Sequence, residues 1–161
     1  MTTEQWIAAS SVAAVAVAAI AIVAAVIGVR DQLRTFVFLE YTGRYSKIME
    51  KLPFDARRPE GSLAALSSDQ RLAALAVFRE YFNMCSEEMW LKSSGRIDIG
   101  TWNVWRIGMK EVARAPASRE AWGELANEYR YFHEFSRFME SLMSEVSRSE
   151  EASKLLAKPE A

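Results

Sequence analysis

Cysteine and histidine are nearly missing from this chain, which holds only Cys85 and His133. A lone thiol cannot close an intrachain disulfide, so the fold needs no oxidising compartment, which fits a cytoplasmic setting. A carboxylate-bridged di-metal bundle requires a Glu-x-x-His step on each of two helices. Arg130 stands three residues before His133, so that motif fails. Haem ligation by His133 with a methionine has no second feature behind it. Gly-rich phosphate loops, Gly-x-Ser-x-Gly and Cys-x-x-Cys do not occur. No Lys or Arg precedes Arg30, and a cleaved signal peptide wants a basic leader. Nor is there a basic excess: after residue 29 all 20 Lys and Arg face 20 acids, the 21 Asp and Glu less Glu4. A nucleic-acid surface is therefore not expected. Neither a cofactor, a metal site nor catalytic residues are expected.

What is present is a long apolar run, Ile7 to Val29, broken only by Ser10 and Ser11. A helix of about 23 residues at roughly 1.5 Å each is long enough for a hydrocarbon core of about 30 Å. The expected organisation is a short external N-terminus (1–5), a transmembrane helix (6–29), a cytoplasmic helical domain (30–147) and a flexible polar tail (148–161). Arg30, Arg34, Arg44, Lys47 and Lys51 follow the span and no basic residue precedes it, so the positive-inside tendency puts the C-terminal domain in the cytoplasm. Trp6 on one side and Arg30 and Arg34 on the other are the expected membrane-interface residues. Ser11, Ala14, Ala18, Ala21, Ala25 and Gly28 recur at steps of three and four, flanked by Val12, Val15, Ile22, Val26 and Val29. Such a seam of small side chains lets helix backbones approach closely in lipid, which suits self-association or docking to another membrane helix.

Beyond the span the pattern stays helical. Leu33, Val37, Tyr41, Tyr45, Ile48 and Leu52 share one side until Pro53 ends the helix. Residues 54–66 read as a loop, in which Arg57 and Arg58 either meet anionic headgroups or are solvated. Ser67 and Gln70 form a capping-box pattern before a helix whose Leu75, Phe78, Phe82, Cys85 and Met89 face a core, with Gly95 as its C-cap. A third helix spans about Thr101 to Arg114, buries Trp102, Trp105, Met109 and Val112, and is stopped by Pro116. Ser118 then caps a last, longest helix, about Arg119 to Ser147. Its Trp122, Leu125, Tyr129, Phe132, Met139, Met143 and Val146 fit a seven-residue repeat with Ser136 as the one polar member; Tyr131, Phe135, Phe138 and Leu142 widen it. The fold class is thus all-α: one N-terminal transmembrane helix followed by a cytoplasmic bundle of about four helices.

Within the domain, Glu87 and Glu88 leave their helix about 100° apart, so they cannot share a site as an acid–base pair. Both are expected to be solvated or ion-paired, with room for one to turn inward. Cys85 lies on the core face, where a thiol is inert. A pocket near Asn83, Glu87 and His133 is the candidate if the domain binds a ligand.

Leu52-Pro53, Tyr81-Phe82-Asn83 with Glu87-Glu88, Gly95-Arg96-Ile97, Trp102 with Trp105, Trp122 and a Phe-rich closing helix, set behind a single N-terminal span, together resemble an uncharacterised family of bacterial membrane-anchored helical proteins, a domain of unknown function. The resemblance implies a bacterial inner-membrane setting and carries no activity or site residue with it. The leading expectation is a non-enzymatic, single-pass interaction or scaffold protein, an accessory subunit of a membrane complex or a homo-oligomer. A ligand- or metal-binding regulatory domain or enzyme with a pocket between helices is the alternative.

Overall fold

The computed structural model describes residues 2–156, with side chains described for 2, 3 and 14–149. Trp6 and Ser11 lie outside the described side chains, and residues 157–161 outside the description altogether. Among the described residues there are six α-helices and no strand: α1 (Thr3–Glu50), α2 (Phe54–Arg57), α3 (Ser68–Ser93), α4 (Ile99–Arg114), α5 (Pro116–Leu125) and α6 (His133–Leu156). The chain divides into two compact units, one reaching Glu40 and the other beginning at Tyr41, within the unbroken α1.

In the first unit every residue from Ala14 to Val29 is exposed, including Ala14, Ala18, Ala21, Ala25 and Gly28 of the small seam and Val15, Ile22, Val26 and Val29 beside it. Soluble surfaces rarely carry an apolar patch of this extent. This is one helix, near the N-terminus, long and apolar enough to cross a membrane. Further along it, Arg34 pairs with Asp31 at 3.5 Å.

The second unit is built from helices whose ends are closed by local chemistry. Pro53 is extended (φ −50°, ψ 140°) and ends α1. The carbonyls left open there are taken by Arg57, which donates to Glu50 O at 2.7 Å and Leu52 O at 3.1 Å, a cation at a helix C-terminus. Arg58 pairs with Glu60. The segment expected as a plain loop is thus more ordered: α2 and a 3₁₀ turn, Leu63–Ala65, occupy it. Glu120 of α5 closes that turn, accepting from Ser62 Oγ (2.8 Å) and Leu63 N (2.6 Å). α3 opens on the expected capping box between Ser67 and Gln70. Gly95, the one residue with positive φ (+68°) among those described, closes it, with Arg96 N donating to Leu91 O. Asp98 caps α4 through Thr101 N and Oγ1. Ser118 is not the cap of α5: Ala115 takes that position with Pro116 at the first helical residue, and Ser118 is buried one turn inside. Pro116 needs no N–H donor there, so the helix starts three residues early.

The single long last helix is replaced by α5, a 3₁₀ turn (Ala126–Tyr129) and α6. No proline or glycine breaks it; packing does. The Tyr129 ring enters a cluster with Trp122 (5.6 Å), Phe135 (5.4 Å) and Phe82 (6.3 Å), and its hydroxyl donates to Asn83 Oδ1 at 2.9 Å or Arg79 O at 3.2 Å. Arg79 also holds Glu128 through two hydrogen bonds of 2.7 and 2.8 Å. The carbonyl of Tyr129 is recovered by Phe132 N and Ser136 Oγ. Edge-to-face aromatic pairs contribute about 0.5–1.5 kcal/mol each beyond area burial, enough to outweigh one interrupted turn. Tyr131 and Phe132, counted on the buried stripe, consequently turn outward. α6 itself continues past Ser147 to Leu156. Phe78, Phe82 and Cys85 of α3 and Trp102, Trp105 and Met109 of α4 are buried where their spacing puts them.

Two glycines predict opposite outcomes. A Cβ on Gly61 would sit 2.3 Å from Asp55 O, a backbone atom that cannot swing away, whereas nothing lies within 4 Å of one on Gly43, inside α1. Gly61→Ala should destabilise by about 1–3 kcal/mol, as overpacking does, and Gly43→Ala should stabilise by about 0.5–1 kcal/mol through helix propensity. Urea unfolding of the detergent-solubilised protein measures both.

Candidate functional site

Helical spacing assembles the site from three elements. The last turns of α1 bring Tyr41, Arg44 and Tyr45 to one side, at steps of three and four. On α3 the residues at the same rhythm are Tyr81, Met84, Cys85 and Glu88, all buried. α4 contributes Val104, Trp105, Gly108 and Met109. Between them lies a cavity of about 150 Å³, walled by Tyr41, Tyr45, Tyr81, Trp105 and the two methionines, with Glu88 as its acidic group. The rings stand in pairs, Tyr41 with Trp105 at 5.2 Å and Tyr45 with Tyr81 at 6.1 Å.

The two adjacent glutamates behave differently. Glu87 receives both Arg44 nitrogens, Nη2 at 3.1 Å and the closer Nη1, and the Tyr41 hydroxyl at 3.1 Å. Arg44 also lies 5.9 Å from the Tyr41 ring centroid. Glu88, only 4% exposed, has no hydrogen bond or ion pair among the described residues. Burial, with the Glu87 charge adding and the Arg44 charge opposing, pushes its carboxyl up to about 8. At neutral pH it is a protonated acid, able to donate a hydrogen bond or to release its proton. Tyr41 is pushed up to about 12, first by burial and then by Glu87. Burial also raises Tyr81 and Cys85, which keeps the thiol protonated and unreactive.

The residues expected as a pocket have separate surroundings. Asn83 accepts from Tyr129, Glu87 is held by Arg44 and Tyr41, and His133 is exposed at the start of α6 in an open cleft of about 690 Å³ that Asn127, Arg130 and Glu140 also line. Glu88, which its charge alone would make solvated or paired, is the group that faces inward. Its signal was legible: it follows Cys85 by three and Tyr81 by seven, on the core stripe of α3. Among the described residues no three His, Cys, Asp or Glu side chains are grouped as metal ligands. No protein-family model matches the chain, and neither a curated protein nor a solved structure matches it.

The raised Glu88 carboxyl predicts a pH effect of definite sign. The unfolded acid ionises near 4.5 and the folded one near 8, so between these values the native state holds a proton that the unfolded chain has lost. Stability contributed by this group is full below about pH 4.5, falls as pH rises towards 8 by a few kcal/mol, and is level above. Asp98, Glu128 and Glu145 are shifted downward by hydrogen bonds to Thr101, Arg79 and Lys110, so they act only at lower pH and do not mask the slope. Glu88→Gln should flatten it, measured by urea unfolding at pH 5, 6.5 and 8.

Proposed function

We propose that this is a single-pass membrane protein whose helical domain binds a small ligand in the Glu88 cavity and reports that binding as a regulatory or accessory module. Two observations support it. The exposed apolar surface from Ala14 to Val29 asks for lipid around it, since each Å² removed from water gains roughly 25 cal/mol. The carrying observation is the cavity itself: Glu88, 4% exposed and with no hydrogen bond among the described residues, lines an apolar hollow, and a few convergent polar groups in an apolar hollow are the usual composition of a ligand site. The basic flank from Arg30 to Lys51 favours a cytoplasmic domain with the N-terminus outside, and the family resemblance suggests a bacterial inner membrane.

The reading as a scaffold or oligomer keeps one specific support. Val104 and Ile107, three apart on α4, are exposed, as is the small-residue face at Ala14, Ala18, Ala21, Ala25 and Gly28.

The anchor predicts that the untagged protein stays in the pellet after alkaline carbonate washing; release into the supernatant would contradict it. The site predicts that a thermal-shift screen of small amphiphilic compounds finds ligands stabilising the full-length protein. Gly108 lines the cavity and has open space at its Cβ position, so Gly108→Leu should fold, as judged by circular dichroism, and lower the affinity of any such compound at least tenfold. A screen without hits, or hits indifferent to Gly108→Leu, would remove the cavity from the proposal.

A further inference from the structure

The chemistry of the cavity narrows the ligand class, on the premise that the cavity is a binding site. Four of its walls are aromatic: Tyr41, Tyr45, Tyr81 and Trp105. No Lys, Arg or His lines it, so a phosphate or carboxylate ligand would find no counter-charge. The nearest cation, Arg44, is engaged by both Glu87 oxygens. Glu88 is therefore an acid with no fixed counter-ion, in a box of π faces, where aromatic quadrupoles attract a cation. About 150 Å³ equals roughly five water volumes of about 30 Å³, room for a compact group of some five heavy atoms.

We propose that the cavity binds an organic ammonium group, enclosed by the Tyr41, Tyr45, Tyr81 and Trp105 rings and neutralised by the Glu88 carboxylate. Binding is an exchange: the O–H bond of the Glu88 carboxyl breaks, its proton leaves to solvent, and the ammonium takes the place of that positive charge, so the buried charge stays balanced. The titratable or charged groups facing Glu88 are Tyr41, Arg44 and Tyr45 from α1 and Tyr81, Cys85 and Glu87 from its own helix; α4 contributes none to the cavity wall. The three tyrosines and Cys85 are all raised, so Glu88 is the group that exchanges near neutrality. The ammonium could belong to a free amine or to a lipid headgroup, and the chemistry of recognition is the same.

Calorimetry on the full-length protein, in a detergent without ammonium groups, tests this with choline and with its neutral carbon isostere 3,3-dimethylbutan-1-ol. Choline should bind at least tenfold more tightly than the isostere and release about one proton, read from buffers of different ionisation enthalpy. Its affinity should rise about tenfold from pH 6 to pH 7, below the Glu88 titration. Glu88→Gln should lose at least tenfold for choline with little change for the isostere. Weaker choline binding in phosphatidylcholine nanodiscs than in phosphatidylglycerol ones would assign the group to a headgroup; equal binding would assign it to a free amine. An isostere that binds as well as choline, with no proton release, overturns the ammonium while the cavity stands as a site. Failure of both probes also overturns it, and the screen with Gly108→Leu then decides the cavity independently.

Discussion

Glu87 and Glu88 are consecutive on α3, so their side chains leave the helix about 100° apart and only Glu87 bonds to the Arg44 guanidinium. That one bidentate pair, with the Tyr41 hydroxyl, ties the end of α1 to α3 and commits the neighbouring residue to the interior. The cavity among α1, α3 and α4 lies behind that polar edge, beside the Tyr41–Trp105 and Tyr45–Tyr81 ring pairs. Pairs on the surface are worth little, about 0–1 kcal/mol. Here the role of the pair is positional, since Arg44 and Glu87 remain part-exposed and the buried energetics lie with the rings and with Glu88.

The rest of the second unit is organised by aromatic packing. Phe82, wholly buried, touches Tyr81, Trp122 and Tyr129, so α3 is the element on which the chain's later half is assembled. Tyr129 is pulled out of helical register to reach this cluster and the Asn83 amide. Asn83 and Glu87, one turn apart on α3, therefore serve structure, and the inward-facing Glu88 is left for chemistry.

Features written in adjacent residues could be read directly. Ser67 with Gln70, Pro53 and Gly95 act within a turn of their own position, and the apolar run to Val29 needs only length and composition. The core face of α3 was equally open to its three–four spacing. What failed to show was decided at a distance. The break at Ala126–Tyr129 depends on Phe82 and Asn83, some 45 residues earlier, and nothing near Tyr129 marks it. Ser118 looked like a cap by type, yet Pro116 starts that helix first. Glu88 lies on the buried stripe, but its charge argues against burial, because acids are rarely buried unpaired; the exception is what distinguishes this site.

The ligand site therefore depends on a single ionisation, that of Glu88. Nuclear magnetic resonance of the full-length protein carrying ¹³C-labelled glutamate side chains, with Glu88→Gln used for assignment, follows the Glu88 carboxyl directly as pH is raised. A midpoint near 8 is the predicted result. A midpoint in the ordinary carboxylate range, about 4.3, would mean that the side chain is hydrated or paired, and the cavity would lose its acidic group.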